Sequence, residues 1–495
     1  MAVTQPPTTP GVLPADEAAE GSMRRESLPE STACTDACSL PIVPVRARGL
    51  TIEGADGKRY LDCLSGAGSL ALGHNHPVVL EAIRSVLDSG APLHVMDLAT
   101  PVEDDFTTEL LRTLPRPLAE RGRVRFCGPA GTDAVGAALD LVCSATGRSG
   151  LFAFSAAARG DSSSETDPRE RVPAPRVTRL PYPSGVPCPS GNGDQGGARP
   201  LAAWSEDAVV TDLLDPSRRG AQPPAGVIVE PVQGEGELVP VPDEWLRRMR
   251  HLTAARGIPF VVDEMQTGVG RTGSFWAVER SGVVPDVMVL SAAIGGSLPL
   301  AVMVYRDDLD PGHPGASAGA FRGNQLALAA GAATLAHVRE QRLAERAAAL
   351  GERMIRQLRA LAAQQPSIAD VRGRGLMIGV ELSDPESTAP AEGAPSGIGD
   401  RASSTLAAAV RKECLRRGLI VGIGGRRSGV VRLLPPLTIS DEQADAVLDR
   451  LSDAIGAAVR AAERNGQGRR GRTGSGPAGQ AEGTDSADSA ADAAR

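Results

Sequence analysis

Short, wholly apolar runs alternate with amphipathic segments from about residue 123 to residue 291, and this alternation constrains the fold most. The runs include "GVIVEPV", "IPFVVDE" and "PDVMVLS", and the segments between them include "WLRRMRHLTAARG". Strands without an in-out alternation must be covered on both faces, which is typical of a mostly parallel sheet between helices. We therefore predict an α/β fold. Ligands bind at the carboxyl ends of such strands, so Asp263, Ser291 and Glu230 should line one crevice.

The chain has 495 residues, a net charge of -8 and only 3% aromatic residues. This acidic balance argues against a general nucleic-acid binder and favours a small-molecule partner. No run of 18 apolar residues and no signal-peptide pattern is present, so we expect no membrane association and a cytoplasmic location. The cysteines are scattered, and Cys34 with Cys38 has no second pair, so we expect reduced thiols and no metal site.

The length and the changes in composition suggest two packed domains between low-complexity tails. The segment 160–223 is rich in Pro, Gly, Ser and Asp and is interpreted as a long irregular connection. The predicted division is a disordered tail over 1–38, the N-terminal part of a small domain over 39–95, a large domain over 96–334, the C-terminal part of the small domain over 335–462, and a disordered tail over 463–495.

Two stretches could hold a phosphorylated heteroaromatic ligand. In "CGPAGTDAV", Gly131 and Thr132 begin a predicted helix, where free N–H groups favour an anion. In "FVVDEMQTGVGRTG", a buried strand ends at Asp263, with Gln266 three residues later. A carboxylate at that position suits a protonated ring nitrogen, although capping of the next helix explains an Asp there equally well.

Taken together, the chain resembles the class III aminotransferases, pyridoxal-phosphate enzymes of fold type I, and within them the diaminobutyrate 2-oxoglutarate aminotransferase group. The similarity runs in family order over roughly residues 45 to 455, except for the loop after residue 160. The matching segments are "RARGLTIEGADGKRYLDCLSGAGSLALGHNHPVVLEAI", "FCGPAGTDAV", "VIVEPVQGEGELVPVPDEWL", "VVDEMQTGVGRTGSFWA", "PDVMVLSAAIGGSLPLAVMVYR", "GAFRGNQLALAAG", "RGRGLMIGVEL" and "VVRLLPPLTIS".

The resemblance implies a dimer with a cofactor pocket at the ends of the strands, and a large domain completed by a smaller α/β domain. It assigns Asp263 to the pyridine nitrogen, Gln266 to the ring hydroxyl, and Gly131 with Thr132 to the phosphate. These positions define the ancestral cofactor pocket, which also includes Ala292.

On the substrate side, the resemblance places Glu230 and Glu235 beside the cofactor. Arg432 would hold a substrate carboxylate, a role that suits the planar guanidinium. Arg322, in the "GAFRGN" segment, and Arg159 would add positive charge to the substrate side.

The departures from the family pattern fall on the residues that face the cofactor. Where the resemblance implies the lysine that forms the Schiff base, this sequence has Ala292, and a methyl group cannot form an imine. Ala158 and Arg159 replace a ring-stacking aromatic residue and a histidine, and Ala320 replaces a phosphate-binding threonine. Only two lysines exist in the chain, Lys58 and Lys412, and we expect both to lie on the solvated surface.

Three functions remain open. The first is a cofactor-independent lyase, cyclase or condensing enzyme of specialised metabolism, with Asp263, Glu230 and Glu235 as acid/base groups for an amino-acid-like or keto-acid substrate. The second is a non-catalytic pseudoenzyme, in a homodimer or paired with an active aminotransferase paralogue. The third is a residual diaminobutyrate-type transaminase that binds pyridoxal phosphate non-covalently. We expect no covalently held cofactor in any of them.

Overall fold

The computed structural model describes residues 40–95, 98–154, 176–183, 223–310, 312, 323–384 and 402–472. It begins with an antiparallel meander of three strands, β1 (Pro44–Arg48), β2 (Thr51–Gly54) and β3 (Arg59–Asp62). β2 and β3 are joined by a turn at Ala55-Asp56-Gly57, and a later strand adds to β3 in parallel. This small sheet lies outside the main α/β sheet.

Helices α1 (Pro77–Ser89), α2 (Pro101–Thr113) and α3 (Arg116–Arg121) follow the meander. Their boundaries have local causes. α1 has a proline in its first turn and ends at Gly90, whose φ of 69° is accessible to glycine at little cost. α2 is capped by the Thr100 hydroxyl, which accepts a hydrogen bond from the backbone N–H of Glu103 at 3.1 Å.

The large unit is a seven-stranded sheet in the order β4-β10-β9-β8-β7-β5-β6. Among these strands, β10 runs antiparallel to both of its neighbours, and β9, β8, β7, β5 and β6 run parallel. The strands are β4 (Gly122–Gly128), β5 (Gly150–Phe154), β6 (Arg176–Arg179), β7 (Gly226–Val229), β8 (Phe260–Asp263), β9 (Val287–Leu290) and β10 (Ala301–Arg306), with α4 (Gly131–Thr146) and α5 (Asp243–Ala254) between them.

Every residue of β7, β8 and β9 is buried, as the continuous apolar runs predict. The helices cover both faces of the sheet, and the aromatic side chains of Phe154 and Trp245 meet edge to face with ring centroids 4.8 Å apart. The α/β fold with a mostly parallel sheet is therefore confirmed.

The remaining chain forms a second α/β unit around the four-stranded sheet β11-β12-β15-β14. It is preceded by α6 (Gln325–Glu340), which packs against α1 and α2. The elements that follow are α7 (Leu343–Ala362), β11 (Ile368–Arg374), β12 (Met377–Leu382), α8 (Ser404–Arg416), β13 (Leu419–Ile420), β14 (Gly422–Gly424), β15 (Val430–Leu433) and α9 (Asp441–Arg472). β13 pairs with β3, so N- and C-terminal segments share the meander sheet.

Two expectations need correction. The segment 160–223 is not wholly irregular, because β6 (Arg176–Arg179) adds to the edge of the large sheet beside β5. The sequence gives little warning of this, since a four-residue edge strand with exposed side chains has no apolar period. The final helix α9 also continues to Arg472, beyond the predicted start of the C-terminal tail at 463. Among the described residues, no helix is long and apolar enough to cross a membrane.

Candidate functional site

Three polar residues meet at the carboxyl edge of the large sheet. Glu230 follows β7, Asp263 ends β8, and Ser291 follows β9, and these three strands are adjacent and parallel. All three residues are buried. The parallel strands therefore bring these three residues to the same edge of the sheet, where the sequence pattern placed them.

The Asp263 carboxyl is only partly satisfied by hydrogen bonds within the described residues. Its Oδ1 accepts a hydrogen bond from the backbone N–H of Met265 at 3.0 Å, whereas its Oδ2 is buried without a partner among the described residues. Burial first, and the nearby charge of Glu230 second, raise the pKa of Asp263 well above its ordinary value. Local capping therefore explains one carboxyl oxygen, while the other is free to meet a ligand.

Gln266 lies next to Asp263 along the chain and contacts the loop that follows β7. Its Nε2 donates to Glu235 Oε1 at 2.8 Å, and its Oε1 is buried without a described partner. The loop passes close by at Gly234, where an added Cβ would lie 2.5 Å from Gln266 Oε1 and 3.4 Å from Glu230 Oε2. A side chain at residue 234 would displace the end of Gln266, and the N–H of Gly234 donates to Glu230 Oε2 at 2.7 Å.

Arg432, on β15, reaches the same loop from the second α/β unit. Its Nη1 donates to the carbonyl of Gly234 at 3.1 Å and lies 3.2 Å from Glu235 Oε2, while its buried Nε has no described partner. Burial alone would raise the pKa of Glu235, but the Arg432 charge and hydrogen bonds from Gln266 and Arg432 outweigh it, and the pKa lies below its ordinary value. Gly424 leaves room for the guanidinium, since a Cβ there would lie 2.9 Å from its Nε.

The predicted phosphate site lies at the start of α4. Gly131 and Thr132 are the first residues of this helix, so their N–H groups have no partner within it. A Cβ added at Gly131 would meet the side chains of Met265 and Ser291, so the helix start lies beside the ends of β8 and β9. The exposed Asp133 accepts a hydrogen bond from the N–H of Ala130 at 3.0 Å, so a carboxylate already stands at the same helix end.

The sequence "SAAIGG" forms the turn after β9, and specific contacts fix its backbone. Ser291 donates its hydroxyl to the carbonyl of Leu300 at 3.0 Å, and Ala292 begins a turn of 3-10 helix. Gly296 has a φ of 57° and lies against the Ala330 carbonyl of α6, which leaves no space for a Cβ. Ala292 itself has a φ of 55°, a left-handed conformation that costs a residue with a Cβ roughly 1–2 kcal/mol.

Both lysines lie away from this edge. Lys58 is in the turn between β2 and β3, its side chain is 72% exposed, and it pairs with Asp56 at 3.5 Å. Lys412 is exposed on α8. The expectation that both lie on the solvated surface is confirmed.

Several predicted site residues fall outside the described residues. They are Ala158, Arg159, Ala320 and Arg322. Sequence reasoning also missed contributors within the described ranges. Tyr182 donates its hydroxyl to the carbonyl of Glu230 at 2.7 Å, and it belongs to a stretch without periodicity. The sequence alone does not single out Gly234 and Gly424, because glycines in polar stretches are common. The crowding at these two positions depends on side chains that are distant in sequence.

The comparisons with known proteins agree with this geometry. The family described as Aminotransferase class-III matches residues 34–455. The diaminobutyrate–2-oxoglutarate aminotransferase of Rhizobium meliloti (strain 1021) is 47% identical over 442 residues, covering 88% of this chain and 91% of the relative. The enzyme of the same name from Haemophilus influenzae is 38% identical over 444 residues, covering 88% and 95%.

Solved structures show the same fold at lower identity. An (S)-enantioselective omega-transaminase from Thermomicrobium roseum has a TM-score of 0.72 at 24% identity, covering 90% of this chain and 99% of that chain. An acetylornithine aminotransferase from Elizabethkingia anophelis has a TM-score of 0.70 at 23% identity, covering 88% and 98%. The fold type I assignment is thereby confirmed.

Proposed function

Since the chain belongs to the class III aminotransferase family, whose enzymes depend on pyridoxal phosphate, we propose that it binds its ligand in the family's cleft but forms no Schiff base with the cofactor. It acts on a small amino-acid-like or keto-acid molecule by proton transfer from buried carboxyl groups. The observation that carries the proposal is Ala292 at the end of β9, in a chain whose two lysines are both exposed elsewhere.

The residues on the ring side of the pocket fit pyridoxal phosphate, but the residue at the position of covalent attachment does not. The free, buried Oδ2 of Asp263 suits a protonated ring nitrogen, and the free Oε1 of Gln266 suits a ring hydroxyl. At the attachment position, however, Ala292 offers a methyl group, and among the described side chains no amine faces the sheet edge. Covalent attachment does not fit the residues present, so the proposed chemistry relies on the protein's own groups.

Asp263 is the group best placed to move a proton. A carboxyl that holds a pyridinium must be ionised, but burial and the neighbouring Glu230 keep the unpaired Asp263 neutral over a wider pH range. In its neutral form, Asp263 can donate its proton to a ligand atom in the cleft and later take one back. Lyase, cyclase and condensation reactions all need such a group.

Arg432 supplies the complementary charge. Its guanidinium is held by the Gly234 carbonyl and by Glu235, and its buried Nε–H has no partner among the described residues. A ligand carboxylate would satisfy that donor with a charge-assisted hydrogen bond. A molecule with a carboxylate and a polar group near Asp263 therefore fits the cleft best.

One observation favours a second candidate, a protein that binds pyridoxal phosphate non-covalently. The same free oxygens of Asp263 and Gln266 would serve such a ligand. In that case the protein would bind the cofactor without a lysine-linked adduct, and an exchangeable amine from a substrate would have to take the place of the missing lysine.

The test combines cofactor binding with turnover. The purified protein is incubated with pyridoxal phosphate, freed of excess cofactor, and its absorbance is recorded with and without borohydride and an amino donor. We expect a colourless protein with no reducible adduct. Amino acids and 2-oxo acids are then screened for conversion by mass spectrometry, and Asp263→Asn should slow any conversion by about 100-fold or more while leaving the thermal midpoint unchanged or higher.

A lysine-linked reducible adduct in the wild-type protein would refute the proposal. A coloured protein without an adduct would favour the second candidate. Conversion that is equally fast in Asp263→Asn would remove Asp263 from the mechanism.

A further inference from the structure

A charged surface outside the cleft lies on the meander sheet formed by β1, β2 and β3. One face of β1, β2 and β3 forms an open groove of about 710 Å³, whose polar lining is Arg46, Arg48, Thr51, Glu53, Arg59 and Asn75. The sheet register explains the grouping. Arg46 lies opposite Glu53, and Glu53 lies opposite Arg59, so the three side chains form a row across the strands.

The arginines of this groove are not neutralised locally. Arg46, Arg48 and Arg59 are exposed, and none of them has an ion pair with a described residue. Glu53 is the single acidic residue in the lining, so three positive charges face one negative charge. The neighbouring Lys58 is already paired with Asp56. On a chain with a net charge of -8, this is a concentration of unpaired positive charge.

The adjoining segment of the chain has the complementary charge. Residues 1–39 precede the described part, which enters at residue 40, just before β1 begins at Pro44. This segment carries six acidic residues and two arginines, namely Asp16, Glu17, Glu20, Glu26, Glu30 and Asp36 with Arg24 and Arg25. Three of the acids are clustered in "ADEAAE". The family match begins at residue 34, so the cluster lies outside the region shared with the family.

The acidic segment is also close to the arginine groove along the chain, which favours contact between them. About twenty residues separate the acidic cluster from the start of β1, and a chain of that length can double back onto the strand, since closing such a loop costs little more than closing a shorter one. Tethering also gives the segment a high local concentration at the groove. β1 pairs with β2 alone among the described strands, so its other edge is open to an extended segment.

We propose that the acidic N-terminal segment docks in this groove, with the carboxylates of Asp16, Glu17 and Glu20 against the guanidinium groups of Arg46, Arg48 and Arg59. Arginine suits this role because its planar fork binds carboxylates in a bidentate manner. The docking is intramolecular and electrostatic, so added salt weakens it.

The test uses the full chain and a protease that cleaves after arginine. Docking shields Arg24 and Arg25, which lie between the acidic cluster and β1. In the variant Arg46→Gln/Arg48→Gln/Arg59→Gln, cleavage there should become about tenfold faster, as expected for three surface ion pairs of a few tenths of a kcal/mol each. Raising the salt concentration should bring the wild-type rate to the same level. Cleavage after Arg472 serves as an internal reference and should not change.

Two further variants complete the experiment. Arg84→Gln/Arg460→Gln/Arg464→Gln removes the same charge from exposed helix positions and should leave the wild-type rate intact. Asp16→Asn/Glu17→Gln/Glu20→Gln changes only the N-terminal segment, so it tests the contact even if the arginine variant fails to fold, and it should accelerate cleavage equally.

Three outcomes would overturn the proposal. In the first, wild-type cleavage at Arg24 and Arg25 is as fast as in the variants. In the second, protection grows with protein concentration, which would make the occupant a second copy. In the third, deletion of residues 473–495, which are also acidic, exposes the amides of β1 to hydrogen exchange while deletion of residues 1–33 does not.

Discussion

The ends of β8 and β9 are neighbours in the same sheet but have opposite characters. β8 ends in Asp263, a buried carboxyl with one oxygen lacking a described partner, and β9 ends at Leu290 and is followed by Ser291 and the methyl group of Ala292. The comparison shows that a buried carboxyl with an unpartnered oxygen can lie at the same sheet edge as a residue that offers no nucleophile.

The left-handed backbone at Ala292 sharpens this contrast. A φ of 55° at an alanine persists only where the surrounding structure determines it, and here Gly296 packs against α6 while Ser291 is bonded to Leu300. These contacts fix the backbone on both sides of residue 292. A longer side chain introduced there should enter the cleft without a change of fold.

The largest effect should come from restoring an amine at the end of β9. Ala292→Lys should convert a protein with no reducible adduct into one with pyridoxyl-lysine at position 292, measured by borohydride reduction and peptide mass spectrometry. Ala292→Met is the matched control, with a long side chain but no amine, and it should form no adduct. An adduct in Ala292→Met, or no adduct in Ala292→Lys although the cofactor binds, would show that the missing amine at residue 292 is not what prevents attachment.

The next effect concerns Glu264, which follows Asp263 but faces the core. Burial, opposed by hydrogen bonds from Thr267 and Val278, raises the pKa of Glu264 to about 7 from 4.5. The folded protein thus binds a proton that the unfolded chain has lost, so the free energy of unfolding should fall between pH 4.5 and 7 by roughly 3 kcal/mol and level off above that.

Glu264→Gln should lack this fall, as measured by urea unfolding at several pH values. Asp263 shifts in the same direction and contributes a pH dependence to both proteins, so the informative quantity is the difference between them. Equal pH dependence in the two proteins would show that Glu264 ionises normally in the fold.

A smaller effect is expected at Arg432. Arg432→Gln should weaken the binding of a dicarboxylate such as 2-oxoglutarate by about ten- to hundredfold, because a hydrogen bond to a charged group contributes about 1.5–3 kcal/mol. Isothermal titration calorimetry measures the change, and the exposed Arg84→Gln is the control. Equal affinity in Arg432→Gln and the wild type would place the ligand carboxylate elsewhere.

Much of this fold could be predicted from the sequence, because buried parallel strands leave a strong pattern. "FVVD" and "VMVL" are apolar throughout, and the structure buries every residue of both strands. β6 left no such signal, since three of its four residues are exposed and Val177 alone in this strand packs against the core.

The site was predictable to the extent that it lies at strand ends. Asp263, Glu230 and Ser291 follow from the strand pattern, whereas the free oxygen of Asp263 and the crowding at Gly234 depend on residues distant in sequence. The family resemblance supplied Arg432 and Gln266, which no local periodicity singles out. Contacts of this kind are set by tertiary packing and leave no trace in spacing.

The most direct measurement is glutamate formation by the wild-type protein from 2,4-diaminobutyrate and 2-oxoglutarate, with pyridoxal phosphate added and a protein-free control alongside. These are the substrates in the names of the related enzymes. The absence of an amine at Ala292 predicts a rate equal to that of the control. Glutamate formation above the control, lost when the purified protein is replaced by Asp263→Ala, would show that the chain transaminates and would contradict the account.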